Sequence, residues 1–233
     1  MSDPRALVAP LVVRWGLEPP AEDRLAALLG VLEEDATAPT SVRAARAAVD
    51  AHLADSLVAL ELDAVRAARR LADLGAGAGF PGLALAVGLP EARAALVESA
   101  SRKCAFLERA IAASAVPNAE VVHARAEAWP AGREAHDVVT ARALAALPVV
   151  VEYAAPLLAI GGVLVAWRGR RDRDAEDAAG RAAAELGLEP VEVRHVEPYA
   201  EARDRHLHVF RKTDPTPPRF PRRPGVARKR PLG

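Results

Sequence analysis

Apolar positions in the first third of the chain recur with a helical period. Leu25, Leu28, Leu29 and Leu32 fall at i, i+3, i+4 and i+7, the stripe by which an amphipathic helix packs onto a core. A second helical stretch is predicted over residues 41–65, carrying His52, Leu53, Asp55, Ser56 and Leu57. His52 and Asp55 share a helix face at i and i+3, where packing onto the core competes with contact to a binding partner. No strand pattern precedes residue 70, so residues 1–69 read as a helical extension.

From Arg70 onward the pattern alternates between short apolar runs and longer amphipathic ones. Strands are predicted over 70–74, 92–98, 120–123, 137–140, 161–167, 190–196 and 205–211, and helices over 82–87, 102–114, 147–159 and 172–186. Seven strands alternating with helices imply an α/β fold, a mostly parallel seven-stranded sheet with helices on both faces. The last two strands have no helix between them, which predicts an antiparallel edge. Residues 70–212 are thus one core domain. Residues 213–233 are rich in Pro, Gly and Arg and are expected to be extended or disordered until something orders them.

Charge sharpens that division. Residues 211–233 hold eight basic residues and one acid, Asp214, a formal +7, so a chain of zero net charge carries −7 elsewhere. A basic tail on an acidic body is drawn to phosphate; a solvated terminus would have the same composition. Abundant alanine and the excess of Arg over Lys read first as a genomic bias. No apolar run reaches the roughly 20 residues that cross a bilayer, and residues 1–10 lack the layout of a secretory signal. Cys104 is the single cysteine, which predicts a reducing, cytoplasmic setting, and it reads as a packed core residue. The six histidines show no zinc-ligand spacing, so no metal is expected.

The sharpest motif is Asp73-Leu74-Gly75-Ala76-Gly77-Ala78-Gly79-Phe80-Pro81-Gly82, between the first core strand and its helix. Glycines there let a ligand approach the backbone, and the following helix start offers free N–H groups. Gly77, Gly79 and Gly82 match the dinucleotide fingerprint of oxidoreductases; Asp73 followed by Gly75, Gly77 and Gly79 matches the loop that binds S-adenosylmethionine. Glu98, ending the second strand, suits ribose hydroxyls in either case. Asp73 stands where a carboxylate can meet the methionyl part of the cofactor, and Arg125-Ala126-Glu127 where an adenine edge is held, which favours the methyltransferase. A non-catalytic RNA-binding module is the remaining alternative.

These residues, with Val97-Glu98-Ser99, Lys103, Phe106-Leu107 and Val139-Thr140-Ala141-Arg142-Ala143, resemble the RsmG (GidB) family of bacterial 16S ribosomal RNA methyltransferases. His52-Leu53-Ala54-Asp55-Ser56-Leu57 resembles that family's helical signature, and Phe220-Pro221-Arg222-Arg223-Pro224-Gly225 with Lys229-Arg230-Pro231-Leu232 its C-terminal one. The chain departs from the pattern at Leu53-Ala54 and at Ala76, and residues before Ala21 match poorly. The resemblance implies a Rossmann-like class I methyltransferase fold, S-adenosylmethionine as cofactor, and methylation of a guanine N7 in the 16S RNA or small-subunit particle; a monomer is expected separately. It maps Gly75, Phe80, Ala126, Glu127 and Arg142 onto cofactor-binding positions.

Guanine N7 carries an in-plane lone pair and no proton, so no general base is needed and no catalytic acid–base pair is expected. Rate comes from alignment and from electrostatic management of the moving positive charge. Pyrimidine C5 chemistry would want a cysteine nucleophile, which Cys104 is poorly placed to supply, and exocyclic amines a different motif where Thr140-Ala141-Arg142-Ala143 stands. Arg142 is the positioning candidate, serving a phosphate, the cofactor carboxylate or the guanine O6, against a structural ion pair as the plainer role. RNA contact is expected from Lys103, Arg142, Arg222, Arg223, Arg228, Lys229 and Arg230, with Arg219 adding to the tail's charge. His206 and His208 read as an exposed strand edge, and Trp129 and Trp167 as packing residues.

Overall fold

The computed structural model describes residues 3–233; Met1 and Ser2, the first two positions of the predicted extension, lie outside them. The N-terminal part contains α1 (Pro4–Trp15), α2 (Ala21–Glu34), α3 (Ala45–Ala48), a π-helical turn (Val49–Ala54), α4 (Asp55–Leu57) and α5 (Asp63–Arg66). The core continues with β1 (Arg70–Leu74), α6 (Gly82–Gly88), β2 (Arg93–Glu98), α7 (Ser101–Ser114) and β3 (Ala119–His123). It is completed by β4 (His136–Arg142), α8 (Leu147–Ala154), β5 (Leu158–Arg168), α9 (Arg173–Leu186), β6 (Leu188–His195) and β7 (His206–Lys212), and the tail adds α10 (Val226–Lys229).

The sheet order is β3-β2-β1-β4-β5-β7-β6. The pairs among β3, β2, β1, β4 and β5 are parallel, and β7 lies antiparallel between β5 and β6. The last two strands thus pair antiparallel and form the expected antiparallel edge, with β7 inserted beside β5 and β6 outermost. That insertion also buries His208 (3 % exposed), expected on an exposed edge: its Nε2 pairs with Glu176 Oε1 of α9 at 3.1 Å. His206 meets the Gly169 carbonyl through Nδ1 at 2.9 Å.

Each face of the sheet carries its own apolar layer. Leu25, Leu28, Leu29 and Leu32 of α2 are all at most 2 % exposed and join Leu71, Leu83 and Phe106 in one cluster. Each such leucine is worth roughly 1.5–3 kcal/mol of burial, which fuses the N-terminal helices to the core. Asp3 caps α1 by accepting from Arg5 N, and Gly16, at φ 59°, closes it. The other face is covered by α8, α9 and the tail, through Val150, Ala182, Leu186 and Phe220.

Two segments depart from their sequence expectation. Residues 41–65 are not one helix: helix begins at Ala45, and a π-helical turn interrupts it at Val49–Ala54. Before it, Arg43 folds back to cap α2, donating to the carbonyls of Leu32 and Glu33 at 3.0 Å each. The tail is neither unpacked nor free. Phe220 is 3 % exposed and Ala227 2 %, and Arg222 is held by Glu152, itself 1 % exposed, with Nε–Oε1 at 2.8 Å. Lys212, also buried, donates to the Ala155 carbonyl at 2.9 Å and to Thr216, fixing the point where the tail leaves the sheet.

A buried polar link ties β1, β4 and α6 together. Asp73, 1 % exposed, accepts from Thr140 Oγ1 at 2.8 Å through Oδ1 and from Gly82 N at 3.0 Å through Oδ2. A Cβ on Gly82 would stand 2.7 Å from Asp73 Cβ, so the helix start can approach the strand only as glycine. Burial raises the Asp73 carboxyl to about 6, against the lowering effect of Thr140 and Gly82.

Two outcomes follow from these links. Arg222→Ala strands a buried carboxylate and costs about 3 kcal/mol in urea unfolding; a loss below 1 kcal/mol would mean that Glu152 is not paired as described. The folded chain keeps the Asp73 proton up to about pH 6 and the unfolded chain releases it near 3.8. Protons bound in excess by the folded state make its stability fall as pH rises between those values and level off above. The stability of wild type relative to Asp73→Asn therefore drops by on the order of 3 kcal/mol from pH 4 to pH 7. A difference independent of pH would place the Asp73 carboxyl at its ordinary value.

Candidate active site

The strands β1 to β5 are parallel, so their carboxyl ends share one edge of the sheet, where open α/β sheets bind ligands. Two concavities lie side by side there. The first is a cleft lined by Gly75, Val97, Ser99, Ala126, Glu127 and Leu144, among others. The second is a cavity of about 470 Å³ lined by His52, Asp55, Arg142, Trp167, Arg168 and Arg205, among others.

The cleft is shaped by the turn after β1. Gly75, Gly77 and Gly79 take φ of 69°, 57° and 93°, a left-handed run that side-chain-bearing residues resist. Gly75 N donates to the Val97 carbonyl at 2.8 Å, tying the turn to β2. Glu98, 5 % exposed, braces the same turn: Oε1 accepts from Ser99 N and Ala100 N at 2.8 and 2.9 Å, and Oε2 accepts from Gly77 N at 3.2 Å. A carboxylate offers about four acceptor sites, so Oε2 retains capacity for a hydroxyl. Lys103 Nζ lies 3.9 Å from Oε2 and is partly exposed. Asp73 has both oxygens engaged inside the protein, so it shapes the turn from beneath and does not reach the cleft.

Ala126 and Glu127 lie on a single 3-10 turn (Ala126–Ala128) after β3, and both line the cleft. Glu127 Oε1 accepts from Gly225 N at 3.2 Å, a contact with the tail that sequence reasoning missed. Apolar walls from Val97, Leu144 and Ala126, with Ser99 and Glu127 as polar groups and a backbone made approachable by glycine, fit a flat purine nucleoside.

Arg142 ends β4 and its guanidinium lines the second cavity rather than the cleft. Nη1 pairs with Asp55 Oδ2 at 2.7 Å and donates to the Ala51 carbonyl at 3.1 Å, while Nη2 stands 3.4 Å from His52 Nδ1. Arg142 thus bridges His52 and Asp55. The π-helical turn carries His52 toward it, and the His52 ring stacks on Phe80 with centroids 4.8 Å apart and planes 6° apart. Phe80 is 6 % exposed, so it supports the turn from within. Burial and the neighbouring Arg142 lower the His52 pKa, keeping the ring neutral near neutrality. Trp167 donates from Nε1 to the Asp55 carbonyl at 2.7 Å, a packing residue that also lines the cavity. Trp129 packs beside His136, with ring centroids 5.1 Å apart. Cys104 is buried in α7 with Sγ donating to the Glu98 carbonyl, and burial raises its thiol pKa.

The two spaces are divided by three consecutive residues. Arg142 and Ala143 line the cavity, and Leu144 lines the cleft. Ala143 takes φ 53°, a conformation costing roughly 1–2 kcal/mol for a residue with a Cβ, and this turns the chain between them. Arg168 and Arg205, missed from sequence, add two more guanidiniums to the cavity, and the buried Nε of each lacks a hydrogen-bond partner in the protein. Arg205 Nε lies 3.5 Å from Asp55 Oδ1, near enough for charge attraction only. The WRGRR run at 167–171 was the available signal for Arg168. Of the tail residues, Arg222 is spent on Glu152, Arg228 lines the cleft while itself exposed, and Arg223, Lys229 and Arg230 are exposed. Arg219 pairs with Glu185 at 3.1 Å.

Comparison with known proteins agrees with this layout. In fold, the chain is similar to a 16S rRNA (adenine(1408)-N(1))-methyltransferase from Catenulisporales acidiphilia, with TM-score 0.54 and 19 % identity, covering 66 % of this chain and 90 % of that one. It is also similar to Aeropyrum pernix fibrillarin solved with S-adenosyl-L-methionine, with TM-score 0.53 and 22 % identity, covering 67 % and 72 %. In sequence it is 41 % identical over 184 residues to a ribosomal RNA small subunit methyltransferase G of Desulfitobacterium hafniense, spanning 78 % of this chain and 76 % of the relative. The same-named protein of Chloroflexus aggregans is 40 % identical over 231 residues, 94 % of each chain. The family model for rRNA small subunit methyltransferase G matches residues 28–208, from α2 through both concavities to β7. A glycine turn braced by Glu98, a cleft beside an arginine-lined cavity, and this match over most of the chain agree: the protein belongs to the rRNA small subunit methyltransferase G family, which sets aside the oxidoreductase and the non-catalytic RNA-binding module.

Proposed function

We propose that this chain transfers a methyl group from S-adenosylmethionine to N7 of one guanine in 16S ribosomal RNA, acting as a monomer on the RNA or the small-subunit particle. The observation that carries this reading is the pair of adjoining spaces divided by Arg142, Ala143 and Leu144. One has the walls for a nucleoside cofactor, and the other has the size and charge for a base brought out of an RNA. Three guanidiniums, from Arg142, Arg168 and Arg205, line the cavity with one carboxylate, Asp55, so its lining is net positive. Guanidiniums lining a cavity offer charge-assisted donors that phosphate oxygens and the guanine O6 can accept.

When bound, S-adenosylmethionine supplies an electrophilic methyl on a sulfonium. Glu98, Gly75, Gly77 and Gly79, Ala126 and Glu127 hold it, with Phe80 and Asp73 behind the turn. Arg142 is a positioning residue for the acceptor base, fixed by Asp55 and the Ala51 carbonyl so that it need not reorganise. His52 stays neutral and adds no positive charge beside a ring that gains it. N7 has no proton to lose, so methyl transfer to it needs no general base. Lys103, Arg223, Lys229 and Arg230 provide exposed charge for the phosphate backbone.

The direct test incubates the purified chain with methyl-labelled S-adenosylmethionine and unmodified 16S RNA or small-subunit particles, then maps the label. Label at one guanine, with the strand-cleavage chemistry diagnostic of 7-methylguanosine, is expected; label on an exocyclic amine or a pyrimidine would overturn the N7 assignment. Arg142→Ala is expected to slow methyl transfer by about 100-fold while leaving S-adenosylhomocysteine affinity within about threefold. Arg142→Lys recovers little, because a point charge cannot satisfy Asp55 and a second acceptor in one plane. Loss of cofactor affinity equal to the loss of rate would return Arg142 to the cofactor side.

A further inference from the structure

The tail was read from sequence as an RNA-binding arm, yet its best-defined part lies against the cofactor cleft. Three contacts place it there. Arg222 is clamped by the buried Glu152, Phe220 and Ala227 are packed in the core of the α8–α9 face, and Gly225, at φ 82°, gives its N–H to Glu127 Oε1 at 3.2 Å. Glu127 belongs to the same 3-10 turn as Ala126, so the tail braces the turn that forms one side of the cleft. Directly after Gly225, α10 carries Arg228 to the cleft, where Nη2 donates to the Leu144 carbonyl at 3.2 Å and the side chain lies with Tyr153 along its lining. Tyr153 is 4 % exposed, and burial, with Glu127 nearby, keeps its phenol protonated.

We infer that the C-terminal tail is part of the cofactor site: Arg228 contacts the adenine of S-adenosylmethionine, and the docked segment from Phe220 to Lys229 completes the base-binding end of the cleft. The cleft's residues on the adenine side are those of the 125–127 turn, and Arg228 lines the same space. A planar guanidinium beside a purine can stack on its face or donate to its ring nitrogens, and it works best when its plane is already held, as the Leu144 carbonyl holds this one. Glu152, deep in α8, then acts at one remove, since its grip on Arg222 sets where α10 sits. Binding of the cofactor and docking of the tail are coupled, each favouring the other by the same free energy. Arg228 thereby leaves the set of RNA-contacting residues, while Arg223, Lys229 and Arg230 stay in it.

The inference rests on S-adenosylmethionine as cofactor, and its test separates the two. Calorimetry on the full chain compares S-adenosylhomocysteine with S-ribosylhomocysteine, which lacks the adenine. Arg228→Ala is expected to weaken S-adenosylhomocysteine binding roughly five- to thirtyfold. It should leave S-ribosylhomocysteine unchanged, and the ligand-free variant should melt at the wild-type temperature. Amide exchange over residues 225–229 is expected to slow when wild type binds S-adenosylhomocysteine. Unchanged S-adenosylhomocysteine affinity, or equal weakening of both ligands, would overturn a contact with adenine. Failure of wild type itself to bind S-adenosylhomocysteine would instead overturn the cofactor reading.

Discussion

Where β1 turns into α6, a run of backbone N–H groups leaves regular structure at the point where a ligand must approach, and the site depends on how they are satisfied. An exposed loop would give them to water. Here two acidic side chains take the ones that face inward: Asp73 accepts from Gly82 and Glu98 from Gly77, while the Val97 carbonyl takes Gly75. The carboxylates hold the turn open in its left-handed glycine conformation before any ligand arrives. A pre-formed turn spends less of the cofactor's binding free energy on ordering the chain.

The same device recurs wherever a separate segment meets the sheet. The N-terminal helices are joined to β4 by Asp55 and Arg142, and the tail is joined to α8 by Glu152 and Arg222. Apolar burial supplies the attraction in both cases, through the α2 leucines on one face and Phe220 on the other. Apolar contact is non-directional, however, and tolerates sliding. A buried charge left without its partner is costly, so each pair penalises docking in any other register. For the arginine at β4 this gives a structural and a functional meaning to one group: the ion pair that fastens the helical extension also fixes a guanidinium at the cavity wall. The two readings of Arg142 open at the level of sequence are therefore not exclusive.

How much of this was legible in the sequence follows the range of the interactions. Period and turn chemistry are local, so the α2 stripe, seven strands and the glycine turn could be read from neighbouring residues, and the strands fall within a few positions of their expected ends. The α1 boundary signals, Asp3-Pro4 before it and Gly16 after it, were also present but went unread. What sequence could not give was pairing between distant residues. Nothing local says that β7 slips between β5 and β6, that Glu152 waits for Arg222 seventy positions away, or that the 41–65 stretch breaks into a π-helical turn so that His52 reaches Phe80. Asp73 shows the same limit in the site itself. Its position beside the glycine turn was legible, but its direction, inward to Thr140 rather than outward to a ligand, required the β1–β4 register.

Direction also changes the meaning of the charge asymmetry. Counted along the chain, the C-terminal segment is strongly basic, and a polyanion-binding arm is the natural reading. In three dimensions Arg222 is neutralised by Glu152, Lys212 is buried, Arg219 faces Glu185 and Arg228 turns to the cleft. The cavity instead gathers Arg142, Arg168 and Arg205, contributed by three separate parts of the core, with one carboxylate, Asp55, so the concentrated positive charge lies there rather than along the tail. Charge lining a concave site with low-dielectric walls is felt more strongly than charge on a mobile arm, because little water intervenes to screen it. Under the proposed function, bulk attraction and base selection would draw on different arginines: the exposed ones would meet phosphate at the surface, and the cavity's own guanidiniums would discriminate what enters.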